Sequence, residues 1–287
     1  MSHLRSPGPV VIVGTGRAGT GIGLAMSSSG FPVTFVTRGS RRSVGAVRVL
    51  SYGDQSLPHG TSIWILAVPD RLIAETARTL KDLGFLGPAS IAGHLSGALP
   101  SSLLEEAAGP LYGRFSAHPL LAFPPADAVR PMPPGSTVLI EGDPTGELMA
   151  HALFGAAGAE TCAIDPARKP LAHAAAVLAA NLAATLIWSA ADALKASGVS
   201  DSLVVSTRLM QSLLDNLGAR PVAAVITGPI ARCDPATVLA NLQALDEYDT
   251  SLARLYRDLA ERLANALHDA GTLPEDAWLM IRATLKN

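Results

Sequence analysis

A short apolar run that leads directly into three closely spaced glycines constrains the fold of this chain more than any other feature. Residues 10–13 predict a buried strand, and a helix-like segment follows the glycines through Met26. Gly14 would make a tight turn, Gly16 would let the backbone approach a ligand, and Gly19 would let the helix pack on the strand. A helix N-terminus would then face a pyrophosphate. We predict dinucleotide binding here, against the alternative of an ordinary strand-to-helix turn. The predicted contacts are Gly14, Thr15, Gly16, Arg17, Ala18 and Gly19.

The composition indicates which classes of partner to expect. The 287 residues are 48% hydrophobic and 16% charged, with a formal net charge of -2. A chain of this length can bury two cores, and the low charge content favours extensive helix burial, as in a homodimer. Without a basic stripe, neither nucleic acid nor an anionic membrane is an expected partner. The expected ligand is a small molecule.

Cysteine usage and the N-terminus favour a cytoplasmic protein. Cys162 and Cys233 match no metal or redox spacing, so we expect reduced thiols and no metal site. The first five residues lead into a strand rather than into an apolar targeting segment. The most membrane-like stretch, Leu171 to Leu194, is interrupted by polar residues at helical spacing, which favours a buried or interfacial helix over a membrane span.

The chain divides into two parts by its pattern. Short β-branched runs alternate with helical segments up to Ala167, which predicts an α/β fold with a parallel sheet. The expected strands are 10–13, 32–36, 62–68, 90–94, 113–117, 137–141 and 160–164, with helices at 18–28, 71–83, 101–108 and 145–157. Residues 121–134 are proline-rich and predict an irregular loop beside the substrate cleft. We therefore predict a domain of residues 1–167 and an all-helical domain of residues 168–287.

The end of the second predicted strand indicates the type of coenzyme. An NAD site would carry a carboxylate there, whereas this chain has arginines and hydroxyl side chains that attract a 2′-phosphate. NADP is therefore the predicted cofactor, and a solvated basic turn is the alternative. The residues in question are Thr37, Arg38, Ser40 and Arg41. The backbone of Val68 and Pro69, after the next strand of the sheet, is predicted to lie beside the coenzyme.

Polar residues follow two further predicted strands. His94, Ser96 and Gly97 stand at the end of one, and His118 at the end of another. Ligands bind at the carboxyl ends of strands in open α/β sheets, so these residues should face a substrate. A serine hydroxyl and glycine N–H groups suit a substrate carboxylate. For Ser96 the alternative is a turn with a helix-capping serine, and for His118 it is a structural histidine.

The helical part supplies the remaining candidates. His173, Val177 and Asn181 recur every four residues and so share one helix face. His173 could donate a proton and Asn181 could hold a substrate oxygen; hydrogen bonds between helices are the alternative. In a later loop, Arg232 could clamp a carboxylate and Asp234 could orient it or cap the next helix.

The order of these motifs resembles one family. The motifs are the glycine triplet, 94–99 (HLSGAL), 118–120 (HPL) with Phe123, 173–176 (HAAA) followed by Asn181, and 227–229 (TGP) with Arg232 and Asp234. They resemble two-domain Rossmann-like oxidoreductases whose C-terminal helical domain was long catalogued as of unknown function. More distantly, the chain is similar to 6-phosphogluconate dehydrogenase, pyrroline-5-carboxylate reductase and ketopantoate reductase.

The resemblance implies a doubly wound, Rossmann-type NADP domain and a helical domain that dimerises and closes the cleft. It also implies a small 2-oxo acid substrate of the ketopantoate kind. The better-known relatives have a lysine four residues before the substrate-binding asparagine, where this chain has Val177. That lysine cannot be carried over, so His173 or His118 is the expected proton donor. Cys233 stands where the family usually has glycine.

The sequence therefore predicts an NADPH-dependent reductase of a small carboxylate-bearing 2-oxo acid. An imine reductase of the pyrroline-5-carboxylate type is one alternative, and a non-catalytic NADP(H)-binding regulator is another. The predicted catalytic residues are His173, His118 and Asn181. The predicted substrate-binding residues are His94, Ser96, Gly97, Arg232 and Asp234.

Overall fold

The computed structural model describes residues 8–38, 43–52, 54, 57, 63–125, 127–217 and 220–286. The chain forms two compact units, Met1–Ala180 and Asn181–Asn287, which we describe separately. The division falls after Ala180 rather than after Ala167, where the sequence placed it. The first helix of the predicted helical part therefore belongs to the first unit.

Nine strands form one sheet within the described part of the first unit. In chain order they are β1 (Val10–Val13), β2 (Val33–Thr37), β3 (Ser43–Val44), β4 (Val47–Ser51), β5 (Ile63–Leu66), β6 (Ile91–His94), β7 (Gly113–Pro119), β8 (Thr137–Gly142) and β9 (Glu160–Ala163). Their order across the sheet is β3-β4-β2-β1-β5-β6-β7-β8-β9. The seven strands predicted from sequence are all present, each within two residues at either end, while β3 and β4 were not predicted.

A parallel block occupies the middle of the sheet. β1 pairs in parallel with β2 on one side and with β5 on the other, and β5, β6 and β7 continue the parallel pairing. The strand order therefore reverses direction at β1, which is where a crevice opens in doubly wound sheets. All four residues of β1 are buried, and alternate residues enter the cores on opposite faces of the sheet.

The sheet is mixed rather than wholly parallel. β8 runs antiparallel to β7, and β3 runs antiparallel to β4. A parallel connection needs a crossover of a dozen or more residues, usually a helix. The proline-rich segment between β7 and β8 forms no helix in its described residues, and the chain returns in the opposite direction. β9 resumes parallel pairing with β8, after the helix that separates them.

Five helices of the first unit are α1 (Arg17–Ser28), α2 (Asp70–Asp82), α3 (Ser102–Ala108), α4 (Pro144–Ala156) and α5 (Lys169–Val177). The buried side chains of α2 recur at positions 73, 76, 77 and 80, which is the spacing of one helix face. α4 begins with a proline in its first turn, and the Asp143 carboxylate before it accepts a hydrogen bond from the Gly146 N–H at 2.8 Å. α5 follows the 3₁₀ turn Pro166–Arg168.

The described residues of the second unit form helices and connecting turns, with no strand. A π-helical segment, Leu178–Leu182, follows α5 and leads into α6 (Ala183–Ala196). The later helices are α7 (Ser202–Leu217), α8 (Val222–Val225), α9 (Pro235–Tyr248), α10 (Thr250–Asp269) and α11 (Glu275–Lys286). The last three bury a common core that includes Val238, Leu242 and Ile281. Their amphipathic faces are therefore satisfied within the unit.

One described helical stretch, Pro166–Ala196, is long and apolar enough to cross a membrane by length and composition. Its most apolar window has a mean hydropathy of 1.7, and only 6% of that window is buried. Large apolar side chains therefore face outward, among them Trp188 at 67% exposure. This exposure disfavours the predicted buried helix, and the interfacial helix stays a prediction.

Two glycines of the first turn allow a test of the packing. A Cβ on Gly19 would lie 2.6 Å from the Gly14 carbonyl oxygen and 2.7 Å from the Ala67 Cβ, whereas a Cβ on Gly16 would meet no atom within 4 Å. We expect Gly19→Ala to lower the free energy of unfolding by about 1–3 kcal/mol, because the helix must move away from the strand. Gly16→Ala should change it by less than about 0.5 kcal/mol. Urea denaturation measures both, and equal losses would contradict the packing role of Gly19.

Candidate functional site

The turn after β1 has the backbone geometry that a dinucleotide needs. Gly14 has a φ of +112°, a conformation that suits glycine, and a Cβ there would lie 2.4 Å from the Ala67 carbonyl oxygen. Gly19 holds α1 close to this turn. Gly16 precedes the helix with extended backbone and faces open space. The three glycines thus have the turn, approach and packing geometries that the sequence predicted.

The N-terminus of α1 suits an anion. Its first-turn N–H groups have no partner within the helix, and the helix dipole places partial positive charge there. No acidic side chain stands in this first turn, whose first residue, Arg17, is exposed. Thr15 and Ala18 flank the opening, and the Val68 side chain approaches to 3.4 Å from the Cβ position of Gly14. Pro69 follows Val68 at the same edge of the sheet. A phosphate is therefore compatible with the residues present.

Arg38 stands at the neighbouring strand end, directly after Thr37. Its guanidinium donates to the Glu75 carboxylate at 2.7 Å, and both side chains are more than half exposed. The hydrogen bond and the charge of Glu75 raise the pKa of Arg38 above its usual value. Because exposed ion pairs contribute little, a competing phosphate can displace Glu75. Ser40 and Arg41 lie outside the described residues.

The structure corrects the predicted role of His94. The side chain is completely buried, Nε2 donates to the Pro100 carbonyl at 3.1 Å, and Nδ1 accepts from the Ser96 N–H at 3.3 Å. Burial lowers the pKa of His94 to about 4. With both nitrogens engaged, no atom of the ring is available to a substrate. His94 instead shapes the loop that follows β6.

Ser96 stabilises the turn after β6, which agrees with the turn but not with the helix cap of the predicted alternative. Its hydroxyl donates to Asp70 at 2.7 Å and accepts from the backbone N–H groups of Ala98 and Leu99 at 3.2 and 3.0 Å. The residue is 4% exposed. These bonds occupy the hydroxyl, so the predicted contact between the Ser96 hydroxyl and a substrate is corrected to a turn-stabilising role.

Gly97 brings two of the predicted histidines together. A Cβ on Gly97 would lie 2.4 Å from Nδ1 of His173 and 2.7 Å from Nε2 of His118. The two rings meet edge to face with centroids 5.2 Å apart. Only glycine therefore permits this approach of α5 to β7. The imidazoles come from parts of the chain that are 55 positions apart in sequence.

The hydrogen bonds of the two imidazoles define their free atoms. His118 Nδ1 lies 3.1 Å from the Leu95 carbonyl, which can only accept, so Nδ1 carries hydrogen and Nε2 is the free nitrogen. His173 Nδ1 is buried without a hydrogen-bond partner. Burial lowers the pKa of His118, and the nearby His173 and Lys169 lower it further. A lowered pKa makes the protonated imidazole a stronger acid than that of an ordinary histidine.

The sequence analysis did not find a buried charged cluster of Lys169, Glu141 and Ser116, which lies next to the loop after β6. The Lys169 ammonium is 3% exposed and donates to the Ser116 hydroxyl at 2.5 Å and to Glu141 at 3.1 Å. Burial lowers the pKa of Lys169, and Glu141 opposes that shift. The sequence analysis looked for the lysine of the better-known relatives at position 177, where this chain has valine. The available signal was a lysine four residues before His173, on the same helix face.

Three predicted site residues belong to the second unit. Asn181 is exposed within the π-helical segment, and Arg232 is exposed in the loop before α9. Asp234 caps α9, accepting from the Thr237 N–H at 3.0 Å and from its hydroxyl at 2.6 Å. These bonds lower the pKa of Asp234. Cys233 has a φ of +50°, a conformation that favours the glycine usual in the family. Capping, one of two predicted roles of Asp234, is therefore observed.

Comparison with protein families gives one match. Residues 136–263 match the family described as a domain of unknown function, DUF2520. The segment begins before β8 and ends within α10, so it includes Glu141, Lys169 and His173. The match covers 128 of the 287 residues. Among curated proteins, none matches the sequence significantly.

Several solved structures share the fold over nearly the whole chain. A protein of Thermotoga maritima superposes with a TM-score of 0.73 at 21% identity, covering 91% of this chain and 99% of its own. The NADP-bound pyrroline carboxylate reductase of Plasmodium falciparum superposes with a TM-score of 0.59 at 14% identity, covering 96% and 98%. An imine reductase of Streptomyces aurantiacus superposes with a TM-score of 0.54 at 17% identity, covering 90% of this chain and 95% of its own. The predicted family resemblance and fold class are confirmed.

The neutral state of His94 makes stability depend on pH. The folded protein holds this ring neutral to about pH 4, whereas the unfolded chain protonates it near pH 6.5. Unfolding therefore takes up a proton between these values, and stability falls as the pH is lowered. We expect this group to remove about 2 kcal/mol of unfolding free energy between pH 7 and pH 5.

Urea denaturation of the wild type and of His94→Gln at both pH values measures the effect. Glutamine can make comparable hydrogen bonds but does not titrate, so the variant should lose less stability on acidification. An identical loss in both proteins would show that His94 is not held neutral.

Proposed function

We propose that this protein is an NADPH-dependent reductase of a small carbonyl compound that bears a carboxylate. The observation that carries the proposal is the Gly14–Gly16–Gly19 turn, which opens the N-terminus of α1 to a phosphate at the strand-reversal point of the sheet. Structural likeness to an NADP-bound reductase supports it. When bound, NADPH supplies a hydride to an sp² carbon.

In this proposal the coenzyme contacts follow the sheet edge. The backbone at Gly16 and Arg17 binds the pyrophosphate, and Arg38 binds the 2′-phosphate in place of Glu75. Val68 and Pro69 flank the path towards β6. Strands lie about 4.8 Å apart, so the loop after β6 stands about 10 Å from the turn after β1. The two histidines therefore lie at the same edge of the sheet as the glycine turn after β1.

The histidine pair supplies the proton in this proposal. Nε2 of His118 and Nδ1 of His173 converge beside Gly97, where neither atom has a hydrogen-bond partner among the described contacts. A carbonyl oxygen there would accept a proton as hydride reaches the adjacent carbon. A protonated imidazole would also attract a substrate carboxylate. A 2-oxo acid of the ketopantoate kind combines these two groups.

Coenzyme selectivity tests the first part of the proposal. We expect Arg38→Ala to weaken NADPH binding about 10- to 100-fold, because a charged hydrogen bond to the 2′-phosphate is lost. NADH binding should stay nearly unchanged. Glu75→Gln is the matched variant, and it should tighten NADPH binding by removing the competing carboxylate. Calorimetric titration of the wild type and both variants with each coenzyme measures these affinities, and equal effects on the two coenzymes would contradict the assignment.

Turnover tests the second part. The assay follows NADPH oxidation with a panel of 2-oxo acids. His118→Asn and His173→Asn are compared, and the variant that removes the proton donor should lower kcat about 10²- to 10⁴-fold. The wild-type rate should rise as the pH falls from 8 to 6, because the protonated fraction of the donor grows. A parallel panel of cyclic imines distinguishes an imine reductase. Tight NADPH binding without turnover on either panel would indicate a non-catalytic binding protein.

The exposed apolar helices support a homodimer as part of this proposal. Trp188 on α6 and Leu209 on α7 are 67% and 64% exposed, and a second copy could cover them. We expect sedimentation velocity to show a dimer that Leu209→Asp converts to a monomer. Leu148→Asp, at a leucine of α4 that is 73% exposed, is the matched control and should leave the dimer intact. A monomeric wild type would contradict this arrangement.

A further inference from the structure

Two adjacent pairs of side chains connect α5 to β7. Ser116 and His118 lie two residues apart on the strand and so face the same side of the sheet. Lys169 and His173 lie four residues apart on the helix and so share one face. Lys169 contacts Ser116 at 2.5 Å, and the ring of His173 meets the ring of His118. The contact between Lys169 and Ser116 therefore lies beside the histidine pair.

The same strand residues hold the loop after β6. Nδ1 of His118 donates to the Leu95 carbonyl, and the Ser116 hydroxyl donates to the Ser96 carbonyl, each at 3.1 Å. Two successive carbonyls are thus held by neighbouring side chains of β7. Gly97, the next residue, lies against both imidazoles. The position of Ser116 therefore affects the loop that separates the histidines.

Stability alone gives a poor account of Lys169. A cation in the first turn of a helix opposes the helix dipole, and burial of an ammonium is costly even when it is paired. Glu141 compensates the charge, and its carboxylate is held by the Ser101 N–H and hydroxyl at 2.7 and 2.8 Å. Apolar residues of similar volume often replace such buried pairs without loss of stability. A role in the adjacent site accounts for the arrangement better.

We infer that Lys169 is a positioning residue for the two histidines. Its ammonium orients the Ser116 hydroxyl towards the Ser96 carbonyl, and this fixes the loop that carries Gly97 between the two rings. Lys169 is buried and would not touch the substrate. The inference rests on the proposed reductase function, in which these histidines supply the proton.

Electrostatics support the same role. The ionisable groups that act on His118 are His173 and Lys169 from α5 and Asp70 from α2. Burial is the main reason for the lowered pKa of His118. His173 and Lys169 lower it further, whereas Asp70 and the Leu95 carbonyl oppose the shift. Loss of the Lys169 charge should therefore raise the pKa of His118.

Three variants separate charge, hydroxyl and background effects. Lys169→Met combined with Glu141→Gln removes the ion pair without leaving a buried charge alone. Ser116→Ala keeps the ion pair and removes the hydroxyl that reaches the loop. Lys81→Met removes an exposed lysine of α2 and is the control. The pKa and tautomer of His118 are measured by NMR titration of ¹⁵N-histidine-labelled protein, with a His118→Asn spectrum for assignment.

We expect the double variant to raise the pKa of His118 by roughly 0.5 to 1 unit. Ser116→Ala should move it by less than about 0.3 unit, because the charge remains. Both variants should lower kcat about 10- to 100-fold with little change in the KM for NADPH, since the proton donor is misplaced. Lys81→Met should match the wild type in every measurement.

A folded double variant with the wild-type titration of His118 and the wild-type kcat would overturn the inference. If the double variant does not fold, Ser116→Ala decides through kcat, and an unchanged value rejects the positioning role. The titration needs no substrate. A wild type without turnover therefore refutes the reductase proposal, while the titration still decides whether Lys169 acts on His118.

Discussion

Parallel pairing of β1, β5, β6 and β7 is the constraint on which the candidate site depends. Parallel strands present their carboxyl ends at one edge, so turns that are far apart in sequence become neighbours. The glycine turn, the backbone of Val68 and Pro69, and the loop at Gly97 all follow strands of this block. The reversal of strand order at β1 opens the crevice there. As a consequence, the glycine turn and the histidine pair lie at one edge of the sheet.

Close approach of backbone elements is the second requirement. At both ends of the candidate site a glycine stands where a Cβ would collide with its surroundings. Gly19 brings α1 against the turn after β1, and Gly97 lets two imidazoles converge from α5 and β7. The convergence is held by the buried pair of Lys169 and Glu141, whose charges compensate each other below the loop. Helix, strand and loop thus become one rigid support for the histidines.

Much of the fold could be predicted because it rests on local patterns. Apolar runs bounded by glycine or proline mark the strands of the parallel block, and the glycine spacing marks the first turn. β4 was missed because its flanking segments have no comparable pattern. The direction of β8 was missed because parallel pairing was inferred from alternation alone, although the proline-rich segment before it offers no crossover helix. The roles of His94 and Ser96 were misjudged because both occur at a strand end, where burial and exposure look alike in sequence.

The sequence by itself determined the order of seven strands and of the helices between them, the glycine turn after β1 and the identity of the polar residues at strand ends. These follow from the spacing of residues along the chain, which sets local structure. Only the tertiary structure decided that His118 and His173 meet at Gly97, that His94 is a buried neutral ring, and that Lys169 lies beneath the pair. Contacts between residues distant in sequence depend on sheet register and helix placement, and no local pattern encodes them.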